Sequence, residues 1–282
     1  VKLLEQDVRH SGLVNPLLPP ENLWTQLVDF ARTSTVIAEL EVRKLMHDQT
    51  DLFTRAVQPV LWLLIFGQVF TQIRAIPTGN LSYIAFMAPG ILAQSVLFIS
   101  IFYGIAVIWE RDLGILQKFL ASPTPRTALV LGKALSAGVR ALSQAVIIYI
   151  VAALLGVQID WNPLAILGVI VVVFLGAGIF STFSLIIACL VKTRERFMGI
   201  GQVLTMPLFF ASNAIYPITI MPAWLQAIAL ANPLTYLVDA LRSLMLAAPS
   251  DYAHVGVDVL VLAGVMCIMV WLGARMYPKV VI

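Results

Sequence analysis

Charge is scarce in this sequence: 12% of its 282 residues are Asp, Glu, Lys or Arg, while 60% are hydrophobic. A soluble domain carries about 25% charged residues. A water-soluble fold of this length would lack the polar side chains to cover its surface, so the apolar residues must face lipid. Cysteine is nearly absent. Cys189 and Cys267 both sit inside apolar runs, which excludes a disulfide framework and any cysteine metal-ligand spacing and leaves both as packing residues. A net charge of +3 gives a nucleic-acid partner no footing. The first twenty residues hold Glu5, Asp7, Asn15, Pro16, Pro19 and Pro20, not the basic start and apolar stretch of a signal peptide. The N-terminus is therefore expected to stay in the cytoplasm.

The groups that would carry chemistry at depth are missing too. His10, His47 and His254 fall in the N-terminal tail, an interfacial segment and an outer loop, away from carboxylates inside the apolar runs. A proton relay needs buried Asp, Glu or His. The closest candidate, Asp258, reads as a solvated helix start. Arg140 is the one basic residue within a run, about two turns in. Its long stem can snorkel to the inner interface; a substrate or lipid-phosphate contact is the alternative. Leu131-Gly132-Lys133-Ala134 resembles the end of a phosphate loop, but Thr127 and Ala134 stand where that loop needs Gly and Ser or Thr. No nucleotide, cofactor or metal site and no catalytic cluster is expected in the chain. Its energy must come from a partner or from a substrate gradient.

What is present is a series of apolar runs. A helix needs about 20 apolar residues to cross a hydrocarbon core of about 30 Å. Six runs qualify, at about 56–72, 81–109, 134–156, 164–191, 199–216 and 257–274. The second is long enough to tilt, or to begin with a short non-spanning piece before Pro89-Gly90. The stretch from Pro217 to Ala248 is apolar but broken by Pro222 and Asn232-Pro233, and it carries Asp239 and Arg242. Proline ends helices and restrains its predecessor, so two short helices that dip into the membrane or lie on its outer surface are predicted. A seventh span is the alternative. With six spans, sixteen of the eighteen basic residues fall on one side and only Arg74 and Arg242 on the other. Basic residues favour cytoplasmic loops, which puts both termini inside. Residues 1–20 are expected to form a flexible tail. In 21–55, Trp24, Leu27, Val28, Ala31, Thr35 and Ala38 recur at helical spacing, the pattern of an amphipathic interfacial helix; residues 56–282 form the membrane domain. Gly176, Gly178, Gly199 and Gly201 suit close helix packing.

One charged island stands apart. Between the second and third runs, Glu110, Arg111, Asp112 and Lys118 alternate with Leu113, Ile115, Leu116, Phe119 and Leu120, and Pro123 and Pro125 close the segment. A short surface helix with an apolar face and exposed charges can seat in a groove of another protein; an ordinary basic loop is the plainer reading. The run ERDLGILQKFLASPTPRTALVLGKAL followed by VRALSQAVII resembles the ABC-2 type transporter permeases, especially the daunorubicin-resistance-like drug exporters. The later ANPLTYLVDALRSLML and the earlier ELEVRKLMHDQTDLFTRAVQPVLWLLIFG are similar to further segments of the same family. The resemblance covers roughly Glu39 to the C-terminus.

The resemblance implies an all-α membrane fold of six transmembrane helices, with an amphipathic helix before the first and a re-entrant pair before the last. It implies an inner-membrane dimer with a second permease copy or paralogue. Two cytoplasmic ATPase subunits would bind the ATP and Mg. It makes 110–120 a coupling helix, with Glu110, Arg111, Asp112, Leu113, Gly114, Leu116, Lys118 and Phe119 against the ATPase. Asn232, Pro233, Tyr236, Asp239 and Arg242 fall in the re-entrant outer gate. The substrate path lies near the second and fifth spans, where Gln94, Ser95, Phe98, Phe102, Gln202, Thr205, Met206, Phe209, Phe210, Ser212 and Asn213 are candidates. An aromatic there can equally face lipid or a neighbouring helix. The cargo expected is drug-like or lipid-like; a polysaccharide or glycolipid is the alternative within the family. A secondary transporter or channel without an ATPase would need buried ionisable groups, a lipid-modifying enzyme a catalytic cluster, and an importer a different coupling loop.

Overall fold

In a computed structural model of the chain, residues 49–73, 76–78, 81–113, 126–191, 193–247 and 252–276 are described. The tail, most of the interfacial helix, and Gly114, Leu116, Lys118 and Phe119 of the charged island lie outside the described residues. Among the described residues the protein is helical, with one isolated bridge between Ile159 and Leu246.

The first helix, α1 (Gln49–Leu61), runs through a π-helical turn (Trp62–Gly67) into α2 (Gln68–Ile73). The long helix α3 (Tyr83–Asp112) starts on a Ser82 cap, whose hydroxyl accepts from the Ala85 N–H at 3.2 Å. It continues through Pro89-Gly90 without a break, so no separate short piece precedes that pair. The next helix, α4 (Arg126–Leu154), begins eight residues before the predicted span. It ends where Gly156 takes a φ of 79°. The Val157 and Gly156 N–H groups reach back to the Ala152 and Ala153 carbonyls at 3.0 and 3.1 Å, the paired bonds of a Schellman stop. Asn162 caps α5 (Pro163–Leu190), with Pro163 in its first turn.

Thr193 caps α6 (Arg194–Phe210), which ends six residues short of the predicted span. At 17 residues it rises about 26 Å. Ala211, Ser212, Asn213 and Ala214 continue inside the protein as a buried turn. Irregular backbone at membrane depth is tolerated only where protein surrounds it. Two short helices follow, α7 (Ala223–Ala231) and α8 (Pro233–Met245), then α9 (Tyr252–Met276). Because α9 starts early, His254 lies in its first turn and not in a loop. Asp258 lies further in and is buried, not a solvated start.

Among the described residues, four helices are long and apolar enough to cross a membrane: Tyr83–Asp112, Leu129–Leu154, Pro163–Leu190 and His254–Met276. A shorter apolar helix covers Ala56–Gln72. The core lies where α3, α4, α5 and α8 meet, with Met87, Ile91, Leu92, Leu97, Phe180 and Leu241 closed from the surface. A smaller core at the charged end joins Val107, Ile108, Leu129, Val130, Leu185 and Phe197. In α8, Leu244 packs over Gly168 and Leu237 over Gly176 of α5. These contacts seat α8 against α5 between Gly168 and Gly176.

Of the four glycines expected at helix contacts, Gly176 faces Leu237 and Gly178 faces Met266; Gly201 is loosely packed, and nothing lies within 4 Å of a side chain at Gly199. The tightest approach to backbone is at Gly90, where a Cβ would run into the Ala214 carbonyl oxygen and fall 2.8 Å from its carbon. Backbone cannot swing aside as a side chain can. Gly90→Ala should therefore lower the stability of the purified chain by about 1–3 kcal/mol. Gly199→Ala should leave it unchanged or raise it by up to about 1 kcal/mol, from helix propensity alone. Thermal unfolding of both variants in nanodiscs measures the difference.

Candidate functional site

Three groups of polar side chains are built onto α3, at its charged end, its middle and its far end. At the charged end, Lys133 of α4 donates to both carboxylate oxygens of Glu110, at 2.8 and 2.6 Å. Asp112 pairs with Arg111 at 3.3 Å and with Arg194 of α6 at 2.9 Å. The Arg194 guanidinium also lies 3.6 Å from the centroid of the Trp109 ring, a cation–π contact. Arg111 donates to the Val191 carbonyl at 3.3 Å. The predicted coupling residues Glu110, Arg111 and Asp112 thus spend their charges on α4, the end of α5 and α6, while Leu113 is exposed. They hold the end of α3 from which the 114–125 segment leaves.

In the middle of α3 lies a cavity of about 280 Å³. Thr54, Gln58 and Pro59 of α1 line one side, with Gln94, Ser95, Phe98, Ile99 and Phe102 of α3 opposite. Gln144 of α4 and Gln202 and Met206 of α6 complete it. Gln94, Ser95 and Gln144 are buried at its closed end; Gln58 and Gln202 are exposed at its rim. Phe98 and Phe102 are tilted neighbours with centroids 6.1 Å apart. Of the predicted path residues, Gln94, Ser95, Phe98, Phe102, Gln202 and Met206 meet here. Thr205 is buried and donates to the Gly201 carbonyl within its own helix. Phe209 packs edge-on against Trp62, with centroids 6.3 Å apart, and Asn213 belongs to the far cluster. Sequence reasoning missed Gln58 and Gln144. The available signal was a glutamine inside each of two predicted spans, 56–72 and 134–156. Arg140 stands mid-helix in α4, with its guanidinium 5.2 Å from the Tyr103 ring centroid, and it is not among the cavity lining.

At the far end, Arg242 of α8 pairs with Asp239 at 3.1 Å and lies 3.9 Å from the Phe86 ring centroid. It also donates to the Asn213 carbonyl at 2.9 Å and the Phe86 carbonyl at 3.4 Å. The Asn213 amide donates to Asp239 at 2.5 Å. Asn232 works in two directions. Its amide donates to the Leu208 and Ala211 carbonyls at the end of α6, at 2.7 and 3.1 Å, while its oxygen accepts from the Leu234 N–H at 3.0 Å and caps α8. Pro233 fills the first turn of α8, and the Tyr236 hydroxyl donates to the Leu230 carbonyl of α7 at 2.8 Å. The predicted gate residues therefore sit at one junction of α3, the end of α6, α7 and α8. Among the described residues no group of His, Cys, Asp and Glu is placed to hold a metal.

The clasp at the charged end is testable by charge exchange. Glu110→Lys and Lys133→Glu should each lower thermal stability. The double exchange should recover most of the loss, with a coupling of about 0.5–3 kcal/mol.

The comparisons with known proteins agree with this architecture. The profile of the ABC-2 type transporter family matches residues 35–246. The transport permease ycf38 of Cyanophora paradoxa is 33% identical over 196 residues, 68% of this chain and 67% of the relative. The daunorubicin resistance ABC transporter permease protein DrrB1 of Streptomyces coeruleorubidus is 26% identical over 231 residues, 82% of this chain and 81% of that one. Nodulation protein J of Rhizobium meliloti is 25% identical over 250 residues, 88% and 89% of the two chains. A bundle of long apolar helices around a broken helical pair, matched along most of its length, places this chain in the ABC-2 type transporter family as a membrane permease.

Proposed function

We propose that the chain is the permease subunit of an ATP-driven exporter in the inner membrane, with both termini in the cytoplasm, moving a drug-like or lipid-like amphipath outward. The observation that carries this reading is the cavity midway along α3, where polar and aromatic side chains from four helices converge. ATP and Mg would be bound by a separate ATPase, two copies of which serve two permease chains. The name of the DrrB1 relative supports a drug-like cargo.

The helix α3 is the natural transmission element. Asp112 at its charged end lies about 15 Å along the axis from Phe102 in the cavity and about 39 Å from Phe86 at the far junction. A push on the 114–125 segment would be passed through the Glu110–Lys133 and Asp112–Arg194 pairs to α4 and α6 as well as to α3. All three helices line the cavity. The work done must come from contacts that differ between the two access states.

The test is reconstitution with the cognate ATPase. The complex should co-purify and hydrolyse ATP in a vanadate-sensitive way. Gly114→Pro should abolish the stimulation of hydrolysis by the permease, and Asp112→Ala should reduce it several-fold. Vigorous transport by the permease alone, or full turnover after both substitutions, would overturn the reading.

A further inference from the structure

The chemistry of the cavity selects a class of ligand. Among the described residues its lining holds four glutamines, Gln58, Gln94, Gln144 and Gln202, and no charged side chain. A glutamine offers two donors and an acceptor on one flat group, the match for hydroxyls and amides. The Gln94 side chain is 4% exposed, and its Oε1 accepts no hydrogen bond among the described residues. A buried acceptor left without a donor carries an uncompensated desolvation cost, which a hydrogen bond from a ligand hydroxyl or N–H would offset. A charged ligand would lose its hydration with no counter-charge among the described lining residues, which costs far more than burying a neutral polar group. Phe98 and Phe102 give an apolar wall beside the glutamines. The volume, about 280 Å³, is just below the roughly 300–1,000 Å³ of sites that enclose a whole drug-sized molecule. It suits one ring or head group, with the remainder of the ligand outside.

We infer that this cavity binds the uncharged, hydroxyl- or amide-bearing head group of an amphipath between Gln94, Gln144 and Gln202, with its apolar part against Phe98 and Phe102. The inference deepens the export reading and rests on it for the ligand being cargo; occupancy of the cavity is measured separately. An uncharged glycosyl head is the simplest member of the class. Arg140, one turn before Gln144, is held against Tyr103, so anion binding there is the rival outcome.

The experiment is photolabelling of the full chain in nanodiscs with a diazirine-bearing octyl β-D-glucoside, mapped by mass spectrometry. Unlabelled octyl glucoside, octyl sulfate and octyltrimethylammonium compete in parallel. Label should concentrate on residues 54–59, 94–102, 144 and 202–206, and the glucoside should displace it at a concentration about tenfold or more below either charged analogue. Gln94→Leu should weaken labelling about 3- to 10-fold, the loss of one hydrogen bond, while raising the unfolding temperature, because it removes a buried group without a partner. That opposition separates a ligand contact from simple misfolding. Gln202→Leu, at the exposed rim, gives a second variant with little burden on folding, and it too should weaken labelling. Gln94→Glu should turn the preference toward octyltrimethylammonium. Equal competition by octyl sulfate, or label spread over the lipid-facing residues and not displaced, would overturn the inference. Displaceable labelling in the cavity without any effect of octyl glucoside on ATP hydrolysis by the reconstituted complex would support the site and count against its place in export.

Discussion

Inside an apolar bundle every broken helix leaves carbonyls and amides that water cannot reach, and each must find a partner within the protein. The arrangement of this permease around α8 follows from that requirement. The chain leaves helix at Phe210 and re-enters it at Ala223 and again at Pro233. Side chains absorb the groups exposed by these breaks. Asn232 takes the carbonyls of Leu208 and Ala211, Arg242 that of Asn213, and the Tyr83 hydroxyl that of Ile215. Asp239 then neutralises Arg242. Were any of these missing, the break would be left with an unpaired buried group. The short helices are therefore held by polar bonds at their ends and by Leu237, Leu241 and Leu244 along their length.

The same economy appears at the charged end. Ion pairs that look from the sequence like a surface for a partner are used to fasten α3 to α4 and α6. They hold the charged end of α3 against its neighbours. Both ends of α3 are thus fastened to several helices, while its middle borders a cavity.

Much of this was legible in the sequence, and the failures share a cause. Long apolar runs marked α3, α4, α5 and α9 because lipid exposure and burial both select apolar residues over a full helix. The Asn-Pro pair marked the start of α8 because both residues act locally, one as cap and one as first-turn residue. The end of α6 was misplaced because Asn232, more than twenty residues away, decides it. The burial of Asp258 was missed because α9 begins five residues before the apolar run. Half of the cavity was found from α3 and α6. Gln58 and Gln144 were missed because no local pattern ties either to the other lining residues, and only the packing of α1 and α4 against α3 brings them together.

The π-helical turn Trp62–Gly67 has a geometric effect on the first membrane helix. In an α-helix, positions four apart drift about 40° round the axis, so a straight helix gradually turns its inward stripe away from its neighbour. Coiled coils cancel that drift by winding the whole helix into a superhelix. Here a single widened turn cancels it in one place, so Leu63 and Gly67 remain inward in line with Ala56 and Pro59 above them. The helix can thus lie beside α3 without wrapping around it, and a sliding motion between the two need not unwind anything.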